Sequence, residues 1–163
     1  MKTWKYVGAL ILSGVVMGAC GPANQAADAG PGPELAQKPG SPFEESFVRE
    51  AGVRPITWGG WIKTLTPGTG AMPNADNVVS VNYRGTLTDG TEFDSSYKRG
   101  HPASFSLRNV IPCWTNGVPM MKVGEKARLV CPAASAYGDR GSPPTVPGGA
   151  TLVFEIELLD IVR

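Results

Sequence analysis

The sequence predicts an α+β domain, a curled antiparallel β-sheet of about five strands wrapped around one short α-helix. Three observations predict it. First, Val78 to Ser96 reads as a hairpin: Val79, Val81 and Tyr83 alternate with Ser80 and Asn82, and Asp89-Gly90 supplies the positive φ that a tight turn needs. Second, Thr151 to Val162 alternates strictly, with Leu152, Phe154, Ile156 and Leu158 on one face and Glu155 and Glu157 on the other. Third, the middle of the chain has room for only one short helix, opened by Pro112. Such a sheet buries one face by curling around that helix.

The remaining elements follow in order. Phe43 to Ala51 is compatible with a short helix carrying a narrow stripe of Phe43, Phe47 and Val48, and Gly52 is placed to stop it. Two or three turns are marginal alone, so this helix must dock or fray. Trp61 to Thr66 alternates as a strand, and Pro67-Gly68-Thr69-Gly70 turns the chain into the hairpin. Tyr97 to Pro102 reads as a loop and Ala103 to Leu107 as a short strand. Val110 to Val118 holds the helix, Val123-Gly124-Glu125 a turn and Lys126 to Cys131 a strand. Ala133 to Tyr137 is a short turn, followed by a loop rich in Gly and Pro before the last strand. The expected divisions are residues 43–56 as a short helical extension and residues 57–163 as the folded domain.

The N-terminus has a different character. Lys2 and Lys5 precede an apolar run from Val7 to Met17, which is too short to span a membrane at about 20 residues. A basic start, an apolar run and small residues make residues 1–19 a secretory signal peptide. Met17-Gly18-Ala19-Cys20 resembles the bacterial lipobox, which makes Cys20 the expected lipidation site. Gly21 in place of Asp points to the outer membrane of a Gram-negative cell. Several acyl chains on one Cys give stable anchoring where a single chain would not. Residues 20–42 lack an apolar period and are rich in Ala, Pro and Gly, as suits a flexible tether. The tether absorbs part of the Gly and Pro content, which at 21 and 15 of 163 residues exceeds a fifth of the chain. A net charge of +1 argues against a nucleic-acid partner.

The stretches VNYRGTLTDGTEFDSS, VIPCWTNGVPMMKVGEKARLVCP, SAYGDRG and ATLVFEIELLDI resemble the FKBP-type peptidyl-prolyl cis–trans isomerases, in the right order and spacing over residues 61 to 163. The signal peptide and N-terminal extension resemble the secreted bacterial branch of that family. The resemblance implies a shallow apolar cup for proline peptides. Its walls would be Tyr83, Phe93, Val110, Ile111, Tyr137 and Phe154, and its floor Trp114. Asp94 and Arg99 would be the polar neighbours, and Val146 would sit in the loop closing one side. Catalytic roles fall to Phe93, Asp94, Ile111 and Tyr137: the Ile111 N–H and the Tyr137 hydroxyl would bind peptide carbonyls. Asp94 would either meet the rotating carbonyl or orient Tyr83. If Phe93 and Asp94 both reach the cup, the strand must bend at Asp94, with a bulge there. The sequence departs from the family at Cys113, where a small residue is usual, at Ala103, an aromatic in some relatives, and at Ser142, a His in some relatives.

Residue by residue, blander readings compete. Phe154 on a strand face and Trp114 beside a helix start are ordinary core residues, and Asp94 an ordinary strand-end carboxylate. No bond is made in prolyl isomerisation, so neither nucleophile nor metal is needed, and no cofactor is expected. The single His101 lies in a Gly/Pro loop, and Cys20, Cys113 and Cys131 lack metal-site spacing. With Cys20 lipidated, Cys113 and Cys131 form an even pair in an oxidising compartment. They are expected to be bridged, since Cys113 starts the helix and Cys131 ends a strand packed near it; the alternative is two buried thiols. The functional alternative to an isomerase is a binding module or holdase using the same cup without catalysis. Expected partners are proline-containing unfolded envelope proteins and macrolide inhibitors of the tacrolimus type. The membrane is met through the lipid alone, and the short N-terminal helix leaves a monomer as the expectation.

Overall fold

In the computed structural model, residues 39–162 are described. The expected signal peptide, Cys20 and the expected tether up to residue 38 lie outside the described residues. Helix α1 spans Pro42–Val48; Ser41 caps it by accepting a hydrogen bond from the Glu44 N–H, and Pro42 pre-sets its first turn. The strands are β1 (Val53–Pro55), β2 (Trp61–Thr66), β3 (Val78–Leu87), β4 (Glu92–Ser95), β5 (Ala103–Ser106), β6 (Lys126–Cys131) and β7 (Leu152–Ile161). They form one antiparallel sheet in the order β1-β2-β6-β7-β3-β4, with β5 also on β3. The long strand β3 changes partner along its free edge: Val78–Val81 pairs with β5, and Arg84–Thr86 with β4.

The sheet therefore has seven strands among the described residues rather than about five. The strand not expected from sequence is β1. β1 has three residues, one of them proline, and pairs with the start of β2, so the segment 43–56 contributes a sheet edge as well as a helix. β5, expected as a short strand, pairs with β3 on the edge that β4 leaves. The first helix ends at Val48 rather than Ala51, and Tyr97 to Arg99, expected as loop, belongs to a single helical turn, α2 (Ser96–Arg99). Ser96 makes that turn: its hydroxyl accepts the Tyr83 N–H at 2.9 Å, and Gly100 at φ 76° ends the turn in the left-handed conformation.

Alternation sorts the side chains to the two faces. Val79, Val81 and Tyr83 of β3, Ala127 and Leu129 of β6, and Leu152, Phe154, Ile156 and Leu158 of β7 share the main core with Trp114, Val118 and Met121. Trp114 and Cys113 come from α3 (Pro112–Gly117), the helix that the sheet curls around. The neighbouring positions Trp61, Val130 and Val153 point to the other face, where Phe47 of α1 covers them. Phe47 is fully covered, and burying such a ring contributes about 1.5–3 kcal/mol, enough to hold a helix of two turns. Glu44 adds a polar tie: its buried carboxylate accepts the Gly40 N–H at 2.7 Å and the Thr151 hydroxyl at 2.6 Å. Cys113 and Cys131 are joined by a disulfide with a Cα–Cα distance of 5.7 Å.

Candidate active site

A cavity of about 380 Å³ opens between the sheet and α3, lined by Tyr83, Phe93, Asp94, Phe105, Asn109, Val110, Ile111, Trp114, Tyr137 and Phe154. That size falls within the range of clefts that take small ligands. Trp114 lies at its centre. Its ring meets Tyr83, Phe105 and Phe154 edge-to-face at centroid distances of 5.4, 5.5 and 5.3 Å, and Phe154 meets Phe93 in the same manner at 5.6 Å. Such pairs contribute beyond their buried area and fix ring angles, so the wall is stiff. The Trp114 indole N–H is buried without a hydrogen-bond partner among the described residues.

Each wall residue has a local reason for its place. Tyr83 occupies the inward set of β3. Phe93 is the extra residue of a bulge: Gly85 faces Asp94 and Thr86 faces Glu92, which leaves Phe93 unpaired. The bulge thus falls one residue before Asp94, and through it two neighbouring side chains both reach the cavity. Gly85 makes room for it: a Cβ there would lie 2.6 Å from Phe93 and 3.0 Å from Phe154. Val110 and Ile111 lead into α3, and Pro112 starts that helix without needing a donor partner.

The polar side of the mouth is a closed triad. The Tyr83 hydroxyl donates to Asp94, and Arg99 donates to Asp94 at 2.5 Å and to the Tyr83 oxygen at 2.7 Å. The guanidinium also lies over the Tyr83 ring, 5.3 Å from its centroid. Burial alone would push the Asp94 carboxyl up; the Tyr83 hydroxyl and the Arg99 charge outweigh it and hold it below the ordinary carboxylate value. Burial, followed by the Asp94 carboxylate, pushes the Tyr83 phenol up. At neutral pH the triad is therefore carboxylate, neutral phenol and guanidinium.

Eight of the residues expected at the cup line the cavity. Arg99 does not touch it directly and acts through Tyr83 and Asp94. Val146 does not line it either: it is buried in the core, and its N–H and C=O pair with Ser142 at 3.0 and 2.9 Å to close the loop after Tyr137. Phe105 and Asn109 join the lining without having been expected. The signal for Phe105 was present, since Ala103 and Phe105 share one face of β5; with Ala small, the Phe105 ring fills the wall between Tyr83 and Trp114. Among the described residues, neither the Ile111 N–H nor the half-exposed Tyr137 hydroxyl has a protein partner.

Fold and cup together define a small α+β binding domain with a preformed aromatic cleft and two free donors at its rim. Comparison with known proteins gives it a family. The model of the FKBP-type peptidyl-prolyl cis-trans isomerases matches residues 70–159, and the chain belongs to that family. It is similar to the FKBP-type peptidyl-prolyl cis-trans isomerase FkpA of Escherichia coli K12, 46% identical over 122 residues that cover 75% of this chain and 45% of the relative. The FKBP-type 22 kDa isomerase of the same organism is 42% identical over 76% of this chain and 60% of its own length. The crystal structure of Escherichia coli FkpA superposes with a TM-score of 0.70 at 46% identity, over 73% of this chain and 55% of that one. That of a peptidyl-prolyl isomerase from Pseudomonas syringae also gives 0.70, at 39% identity over 74% and 89%. The chain spans about half the length of the FkpA relatives it matches.

Proposed function

We propose that the protein is a peptidyl-prolyl cis–trans isomerase acting on proline-containing segments of unfolded or partly folded exported proteins. One observation carries the reading: an aromatic cup floored by Trp114 with two donors at its rim, the Ile111 N–H and the Tyr137 hydroxyl, that have no protein partner among the described residues. An X–Pro bond turns over a barrier of about 18–20 kcal/mol because amide resonance must be broken. The planar amide is strongly polar and the twisted one less so, so a cup of Phe93, Val110, Ile111, Trp114 and Phe154 favours the twisted form relative to water. The two donors hold carbonyls of the peptide while the bond between them rotates. A preference of about 3–4 kcal/mol corresponds to a factor of hundreds to a thousand.

The N-terminal sequence supports export, with Cys20 as the lipid-bearing residue, the outer membrane as the site and the periplasm as the compartment the domain faces. A disulfide between Cys113 and Cys131 agrees with an oxidising compartment. The domain would act as a monomer without a cofactor, and the same cup would take macrolides of the tacrolimus type.

The test is a proline-isomerisation assay on the wild type and on Phe93→Ala, Asp94→Ala and Phe154→Ala. Wild-type activity well above the uncatalysed rate, reduced in each variant, supports the isomerase. A wild-type rate indistinguishable from background rejects it and leaves the non-catalytic holdase.

A further inference from the structure

The disulfide between Cys113 and Cys131 lies outside the cup, yet each end runs directly into it. Cys113 follows Ile111 by two residues and precedes the floor residue Trp114 by one. Cys131 ends β6, and the chain passes through Pro132 and one tight turn to Tyr137. The two donors of the rim are thus carried by the two segments that the disulfide joins.

Besides the disulfide, α3 is held by the packing of Trp114 and by the Thr115 hydroxyl, which donates to the Leu107 carbonyl at 2.8 Å, and neither tie reaches across to the turn after β6. α3 has six residues and no side-chain cap at Ile111, and so short a helix has little stability of its own. The turn after β6 is closed by its own bonds, Ser135 N–H and hydroxyl to the Pro132 carbonyl and Ala136 N–H to the Ala133 carbonyl. Both cysteines are fully buried, and the chain at Gly60 closes over them: a Cβ there would lie 3.2 Å from the Cys113 sulfur and 2.6 Å from the Val130 carbonyl. Replacing a covalent S–S distance by a non-bonded one in such a packed place must move one of the two segments.

We propose that the Cys113–Cys131 disulfide is a positioning element of the cup, setting the spacing between the Ile111 N–H and the Tyr137 hydroxyl, so that peptide affinity depends on the bond being closed. This rests on the isomerase reading above. In the test, dithiothreitol reduces the disulfide of the unfractionated full chain by two electrons, yielding two thiols and the reagent's own cyclic disulfide. The double variant Cys113→Ala/Cys131→Ala opens the link without reductant.

Steady-state constants for a proline tetrapeptide are measured at about 10 °C, where the uncatalysed reaction is slow. The amide signal of Ile111 and the ring signals of Tyr137 are followed by NMR in the same samples. Opening the link by either route is expected to raise KM by about fivefold or more, with kcat within about twofold, and to shift both sets of signals. Phe47→Ala, on the other face of the sheet, lowers Tm without altering KM. Unchanged KM with unmoved Ile111 and Tyr137 signals overturns the proposal, as does an equal rise in KM in Phe47→Ala. If the oxidised wild type shows no activity above background, the isomerase reading fails, and the NMR signals alone decide whether the disulfide positions the rim.

Discussion

Asp94 faces two partners at the cup mouth, and its hydrogen bonds separate two roles that its position alone leaves open. It could meet the rotating carbonyl of the substrate, or it could orient Tyr83. The Tyr83 hydroxyl donates directly to it, and Arg99 bridges both, which favours orientation. If that is its role, Tyr83→Phe and Asp94→Ala each lower kcat/KM by about tenfold, or ~1.4 kcal/mol, and the double variant loses little more than either alone. Additive losses would assign Asp94 to the substrate instead. Because the carboxyl is held below its ordinary value, kcat/KM should stay flat between about pH 6 and 8 in the wild type. Most side chains of the cup could be named from sequence because the family resemblance fixes them. Phe105 is not marked by the resemblance, which points to Ala103 as the aromatic position, although strand alternation puts both residues on one face. Val146 lies in the loop after Tyr137, but its side chain packs in the core and does not line the cup.

At the scale of elements, the bulge in β4 and the glycine opposite it act together. Gly85 leaves the space into which the Phe93 and Phe154 rings pack, so Gly85→Ala must drive both rings toward the cavity. The expected cost is about 1–3 kcal/mol of stability from overpacking, with a further drop in kcat/KM that Tm alone does not explain. An active Gly85→Ala variant with wild-type KM would show that the rings have other room. The α1 face should behave oppositely. Thr151→Val leaves the buried Glu44 carboxylate short of a donor and should cost about 1–3 kcal/mol by chemical denaturation while leaving kcat/KM unchanged. Long alternating elements such as β3 and β7 were legible because their apolar residues repeat over ten positions. β1 and α2 were not: three or four residues carry no measurable period, and the signals that make them are long-range, an edge pairing with β2 and a Ser96 hydroxyl reaching Tyr83.

For the molecule as a whole, sequence patterns could give faces but not closure. The cup needs Phe93, Trp114, Tyr137 and Phe154 together, and these come from β4, α3, the loop after β6 and β7, brought into contact only by the sheet's order and curl. Several carboxylates of the sheet and its turns are shifted in one direction. Hydrogen bonding from Thr91 lowers Asp89, Lys98 and Arg84 lower Glu92, and Arg128 lowers Glu155; Asp94 is lowered as described. Each holds its charge to lower pH folded than unfolded. The stability these groups contribute is therefore present above the unfolded carboxylate range and is lost as pH falls through the folded values. Tyr83 and Tyr97 shift the other way, raised chiefly by burial and then by Asp94 and Glu157, so their contribution is present below the unfolded phenol value and lost as pH rises through the folded one. Tm should accordingly form a plateau from about pH 5 to about pH 9, falling below about pH 4 and again above about pH 10. Calorimetry across that range checks it, and Asp94→Asn should flatten part of the acid limb. A Tm that declines steadily between about pH 8 and 5 would require a different titrating group to govern the fold, and would remove these carboxylates as its pH-dependent groups.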